Sequence, residues 1–129
     1  MKKIIGNPWL IELPRMVLGI FVVLNIIAML SYPGGTYLDD ATVGYSFTRN
    51  FLSDLGRTLS YPGEVNFLSA QLFNMTLILA GVVFANFYLH VRKIFTADNQ
   101  RTLALIGSFF GVLGGLSLAG VGLTPADLY

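Results

Sequence analysis

The chain contains no cysteine. That single absence removes disulfides, thiol nucleophiles and thiolate metal sites together, and it leaves redox compartment unreadable. Histidine occurs once, at His90, so neither a metal site nor paired axial haem ligation can be assembled from imidazoles. His90 reads as an interfacial surface residue, and no cofactor or metal is expected. Charge is also scarce. Asp, Glu, Lys and Arg make up 12% of 129 residues, while hydrophobic residues make up 54% and mean hydropathy is +0.68. Soluble domains usually run near a quarter charged. So few polar residues cannot cover a surface in water, and the composition predicts a single membrane domain over residues 1–129. A net charge of +1 offers nucleic acid no basic surface.

What the chain has in quantity is long apolar runs. They lie over about 14–32, 67–89 and 103–123, and none holds an Asp, Glu, Lys or Arg between Met16 and Leu30, Phe67 and Leu89, or Leu103 and Leu123. Crossing a hydrocarbon core takes about 20 apolar residues. Lipid offers no partners to bare backbone groups, so each run is expected to be helical. Pro14 suits the first turn of the first span. Glu12 and Arg15 interrupt the approach to that run, which argues against a cleaved signal peptide. The fold class expected is therefore all-α, a polytopic transmembrane bundle of three spans.

Basic residues set an orientation. Lys2, Lys3 and Arg15 precede the first span, Arg92, Lys93 and Arg101 follow the second, and only Arg49 and Arg57 lie in the loop at 33–66. The positive-inside rule places the N-terminus in the cytoplasm and the C-terminus outside, in the cell membrane. Trp9 and the tyrosines, Tyr129 included, mostly flank the spans as an aromatic belt does.

Lipid tails are as apolar as Leu, so spans associate through close packing of small residues and occasional hydrogen bonds. Gly107, Gly111 and Gly115 recur every four residues in the third span and Ala119 continues the row; Gly81 in the second span offers a facing surface. Asn25 and Asn74 are polar handles expected to meet neighbouring helices.

The loop at 33–66 is the polar part of the molecule. It holds "SYPG" twice, Ser31–Gly34 and Ser60–Gly63, each a turn signal. Between them runs "RNFLSDLGRT". On a helical projection Phe47, Phe51, Leu52 and Leu55 share one side, and Arg49, Asn50, Ser53, Asp54 and Arg57 the other. Ser46 and Gly56 supply ends. The pattern predicts a short amphipathic interfacial helix over about 46–56, its charges toward water or headgroups and Asp54 paired with an amide or basic neighbour, Arg57 and Asn50 first. An anchor of that kind would barely notice Asp54→Asn. A sharper reading gathers Asn50, Asp54, Arg57, Glu64, Asn66, Gln71, Asn74 and Asp127 at the outer face as a candidate ligand or partner site.

Three stretches carry a resemblance. "NFLSDLGRT", then "NFLSAQLFNMTLILAGVVF", then "GSFFGVLGGLSLAGVGLTPAD" resemble the prokaryotic integral membrane family of domain of unknown function 998. The matching positions are Ser53, Asp54, Leu55 and Gly56; Phe73 and Asn74; and Gly122, Pro125 and Asp127. Members of that family are typically longer, with about six spans, so the resemblance implies a chain matching their first half only. It brings a fold type and no assigned activity.

The functional expectation is a non-catalytic membrane subunit or scaffold that packs against other transmembrane helices, its own copies or a second protein, in contact with membrane lipids. The alternatives are a lipid-headgroup-binding or lipid-modifying enzyme with an acidic outer-face site, and a transporter or channel component. The last is disfavoured because no span carries a charge.

Overall fold

A computed structural model describes residues 9–95 and 97–128. Lys2, Lys3 and Tyr129, which contribute to the charge count and the aromatic belt, lie outside the described residues. The order of elements is helix α1 (Trp9–Ser31), strands β1 (Gly34–Thr36) and β2 (Asp39–Val43), a 3-10 turn (Leu52–Gly56), helix α2 (Phe67–Val91), a second 3-10 turn (Arg92–Ile94) and helix α3 (Asp98–Leu123). Each of the three long helices is long and apolar enough to cross a membrane.

The helices exceed the apolar runs that announced them. Trp9, the first described residue, is already helical, so Pro14 lies inside α1 and not in its first turn. The start of α3 takes in the polar Asp98–Thr102 segment, because helix propagation needs only backbone partners, not apolar side chains.

Helix α2 lies between the other two and packs on both. Toward α1 the contact is apolar. Val17 meets Ala80 and Val83, and Ala28 and Tyr32 meet Phe73 and Leu77. One polar stitch crosses it, from Asn25 Nδ2 to Thr76 Oγ1 at 3.4 Å; the same nitrogen donates to the Phe21 carbonyl at 2.8 Å. Toward α3 the contact is backbone on backbone. A Cβ on Gly115 would stand 2.7 Å from both the Ala85 nitrogen and the Gly81 carbonyl, and one on Gly81 would stand 2.5 Å from the Ala119 nitrogen. Gly111 is covered by the Tyr88 ring, and Gly122 by the Asn74 carbonyl. The seam is thus Gly81 and Ala85 against Gly111, Gly115, Ala119 and Gly122. Gly107 is not part of it: a Cβ there would meet nothing within 4 Å. A period of four drifts about 40° per step against the helical repeat, so the row leaves the interface by its fourth member.

The loop departs from expectation in two ways. First, it contains a small antiparallel sheet, with Gly34 opposite Val43, Thr36 opposite Asp39 and a bulge between them. Gly34 and Gly35 have φ of 139° and 80°. Their short run lacks the apolar alternation by which a strand is usually recognised. Second, the continuous amphipathic helix over 46–56 is not formed. One turn closes from the Asn50 amide to the Ser46 carbonyl at 2.9 Å, Phe51 is extended with φ −78° and ψ 150°, and the 3-10 turn begins after it. Phe47 and Phe51 are exposed but share no helical face with Leu55, which is completely buried, and Asn50 and Asp54 point inward. The cause is competition from side chains, which offer this backbone better partners than helical carbonyls.

Candidate functional site

Asp54 is 4% exposed, and its carboxylate organises the loop. Oδ2 accepts from the Phe51 amide at 2.9 Å and from Asn50 Nδ2 at 3.0 Å; Oδ1 accepts from the Tyr61 hydroxyl at 3.0 Å. Asn50 extends the network. Its Nδ2 also donates to the Gly35 carbonyl at 2.9 Å, and its Oδ1 accepts from the Ser46 amide at 2.9 Å. Burial and the hydrogen bond to Asp54 both raise the Tyr61 pKa, so its proton stays on the hydroxyl. Tyr61 and Pro62 cover Gly35. Of the two "SYPG" copies only Ser60–Gly63 forms a turn, closed from the Gly63 amide to the Ser60 carbonyl at 2.9 Å; Ser31–Gly34 runs instead from the last residue of α1 into β1.

A second set of bonds ties this turn to the start of α2. Asn66 Nδ2 donates to the Leu55 carbonyl at 3.0 Å and the Arg57 carbonyl at 2.9 Å, Ser69 Oγ to the Leu55 carbonyl at 3.1 Å, and Asn74 Nδ2 to the Gly56 carbonyl at 3.0 Å. Those three consecutive carbonyls are the acceptors that a short 3-10 turn leaves open at its end. Gly56 must be glycine for this contact. Its φ is not positive, but a Cβ would fall 2.6 Å from Asn74 Oδ1 and 2.7 Å from the Phe73 ring. Asn74 was expected to bond another span; its amide instead serves the loop.

Asp127 is the third anchor. Its carboxylate accepts from the Thr58 amide at 2.9 Å, the Thr58 hydroxyl at 2.6 Å and the Leu59 amide at 2.8 Å. Burial alone would raise its pKa. The bonds from Thr58 and Leu59 outweigh that and hold the carboxyl below the usual range.

Of the eight residues predicted for the outer face, Asn50, Asp54, Asn66, Asn74 and Asp127 join this framework. Arg57 stands beside it without pairing to Asp54. Its guanidinium lies 4.4 Å from the Tyr61 ring centroid and Nε donates to the Leu59 carbonyl at 3.2 Å. Arg49 approaches Asp39 at 3.7 Å. Glu64 and Gln71 are exposed; Glu64 contributes only its carbonyl, which accepts from the Ser60 amide at 2.9 Å, and the Gln71 side chain makes no hydrogen bond among the described residues. Sequence reasoning did not anticipate Tyr61, Thr58 or Gly35 as members. The turn motif around Tyr61 was visible, but nothing in it shows what the ring would reach.

Two buried polar atoms beside this framework, Tyr32 Oη and Asn66 Oδ1, have no hydrogen-bond partner among the described residues. Within those residues no group of acids and histidines is arranged to hold a metal ion. The fold and site together define a chain of three long apolar helices with a hydrogen-bonded polar cap at one end. Comparison with protein families, with curated proteins and with solved structures finds no match.

Proposed function

We propose that this chain is a non-catalytic membrane subunit or scaffold whose three helices span the bilayer and pack against further transmembrane helices. One observation carries the reading: α3 has a second, uncovered set of glycines. Gly107 and Gly114 have open space where a side chain would begin. They are one heptad apart, offset by about 20° around the helix. Leu103, Phe110 and Val121 flank them and are exposed. An exposed apolar face with notches at helical spacing fits another helix better than it fits lipid chains, which gain nothing from a missing side chain.

The polar cap supports the same reading. Its carboxylates are occupied by the protein's own amides and hydroxyls, so it works as a clamp between loop and helix ends. Membership of the domain of unknown function 998 family belongs to this proposal. It is supported by the way the three resembling stretches converge, with Gly56 on Phe73 and Asn74, Gly122 on Asn74, and Asp127 on Thr58.

The absence of native cysteine makes the test direct. Single cysteines at Gly107, Gly114 and, as a control, the buried Ser108 are oxidised in native membranes. The proposal expects cross-links from Gly107→Cys and Gly114→Cys to a second copy or to another membrane protein, and none from the control. If a lipid-soluble photoprobe labels the Gly107–Gly114 face as heavily as the outer face of α1 and no cross-link forms, the scaffold reading fails.

A further inference from the structure

At the end of the molecule opposite the polar cap, an open cavity of about 460 Å³ lies between the second 3-10 turn and the first turns of α3, lined among the described residues by Arg92, Lys93, Phe95, Arg101 and Leu105. That is within the roughly 300–1,000 Å³ usual for ligand sites. Three of its five lining residues are cations. None of the three is in an ion pair among the described residues, and the connection from Arg92 to Arg101 holds a single acid, Asp98. The contrast with the loop is physical: there Arg49 and Arg57 have partners, here the charges face an open space.

The cavity does not end at the charges. Arg92 and Leu105 also line a narrower groove of about 170 Å³ that continues between the helices along Leu89, Ser108, Phe109 and Val112. The sequence of surfaces is therefore cationic, then apolar, running from the helix ends toward the middle of the spans. A free anion would use only the first part. A molecule with an anionic phosphate head and an acyl chain uses both. Arginine's planar fork matches phosphate oxygens two at a time, and Lys93 adds a point charge.

Resting on the membrane reading above, we infer that the α2–α3 end is a binding site for one anionic phospholipid, its phosphate between Arg92, Lys93 and Arg101 and one acyl chain along Leu89, Phe109 and Val112. Basic pockets between transmembrane helices hold anionic headgroups in the same way.

The experiment uses the full chain purified in detergent. Bound lipid is counted by native mass spectrometry with phosphatidylglycerol or phosphatidylcholine of identical acyl chains, and with inorganic phosphate as competitor. The expected result is one tightly held phosphatidylglycerol, preferred over phosphatidylcholine by roughly tenfold, and not displaced by an equal concentration of phosphate. Arg92→Gln/Lys93→Gln/Arg101→Gln should abolish the preference. Leu105→Glu, which places a negative charge where cavity and groove meet, should do the same. All four positions are exposed, and circular dichroism confirms that helix content is kept. Equal retention of the two lipids by the parent chain overturns the inference without any variant. So does a preference that survives the triple substitution, while displacement by phosphate reduces the site to a simple anion patch and overturns the lipid assignment. Carbonate extraction of native membranes separates the two proposals. A chain that stays in the membrane but does not discriminate between lipids defeats only the lipid site; a chain washed off removes the premise of both.

Discussion

A buried carboxylate with three donors is a commitment that a single atom can undo. In Asp54→Asn one acceptor oxygen becomes an NH2 group facing the Phe51 amide or the Tyr61 hydroxyl. Toward the Phe51 amide a donor then meets a donor; toward Tyr61 the hydroxyl can turn and accept, but in either case the charge that strengthens all three bonds is gone. Hydrogen bonds to a charged group are worth about 1.5–3 kcal/mol against about 1 for a neutral one, so Asp54→Asn should lower the thermal midpoint of the purified chain. Tyr61→Phe, which removes one donor and leaves two, should cost about 1 kcal/mol. A projection-based anchor would be indifferent to Asp54→Asn; an unchanged midpoint would restore that view. Asp127 makes a pH prediction. Its folded pKa is depressed, so its contribution is complete above the ordinary Asp value of about 3.9 and is lost as pH falls through the lower folded value. Protection of the Thr58 and Leu59 amides from hydrogen exchange, corrected for intrinsic rate, should be flat from neutral pH to about 5 and fall only well into the acid range. Loss of protection between pH 6 and 7 would show that another group governs that contact.

At the scale of elements, the α2–α3 seam and the loop behave oppositely. The seam depends on what is missing from side chains. Gly115→Leu drives carbon into the backbone of Ala85 and Gly81, and overpacking of this kind costs about 1–3 kcal/mol or more. Gly107→Leu enters open space and should leave the melting transition of the isolated chain unchanged, while weakening assembly if the scaffold proposal holds. Equal melting losses in the two variants would mean that Gly107 is covered after all. This difference also shows how far the sequence was legible. Apolar length predicted all three helices, because in such runs nearly every residue votes the same way. Small-residue spacing predicted a seam, with Gly111, Gly115 and Ala119 in it, but could not say where a straight helix would carry Gly107 out of contact. The loop was legible only in its membership. Asn50, Asp54, Asn66, Asn74 and Asp127 were gathered from their polarity in greasy surroundings. The period-3.6 pattern of 47–55 was present yet did not decide the structure, since Asp54 and Asn50 take backbone partners that a helix would have used. Long-range bonds such as Thr58 to Asp127 leave no periodic trace.

At the scale of the molecule, the ends of the helices settle a relation that the charge rule does not use. The loop after α1 and the segment after α3 are joined by Asp127 and the Thr58–Leu59 backbone, so they lie at the same end. The turn between α2 and α3, with Arg92, Lys93 and Arg101, lies at the other. If the helices cross a bilayer, residues 33–66 and 124–128 must therefore share one side, whichever side that is. From the six-to-two split of basic residues we propose that this side is the outside. These two statements fail separately. Ala41, Ala97 and Ala126 are exposed and suit single cysteines for an impermeant thiol reagent on intact cells. Ala41→Cys and Ala126→Cys are expected to label at once, and Ala97→Cys only after the membrane is opened. Labelling of Ala97→Cys alone would invert the orientation and leave the fold intact. Labelling of Ala41→Cys but not Ala126→Cys would put the two partners of the Asp127 clamp on opposite sides of a bilayer, and no arrangement of three spanning helices with that clamp survives such a result.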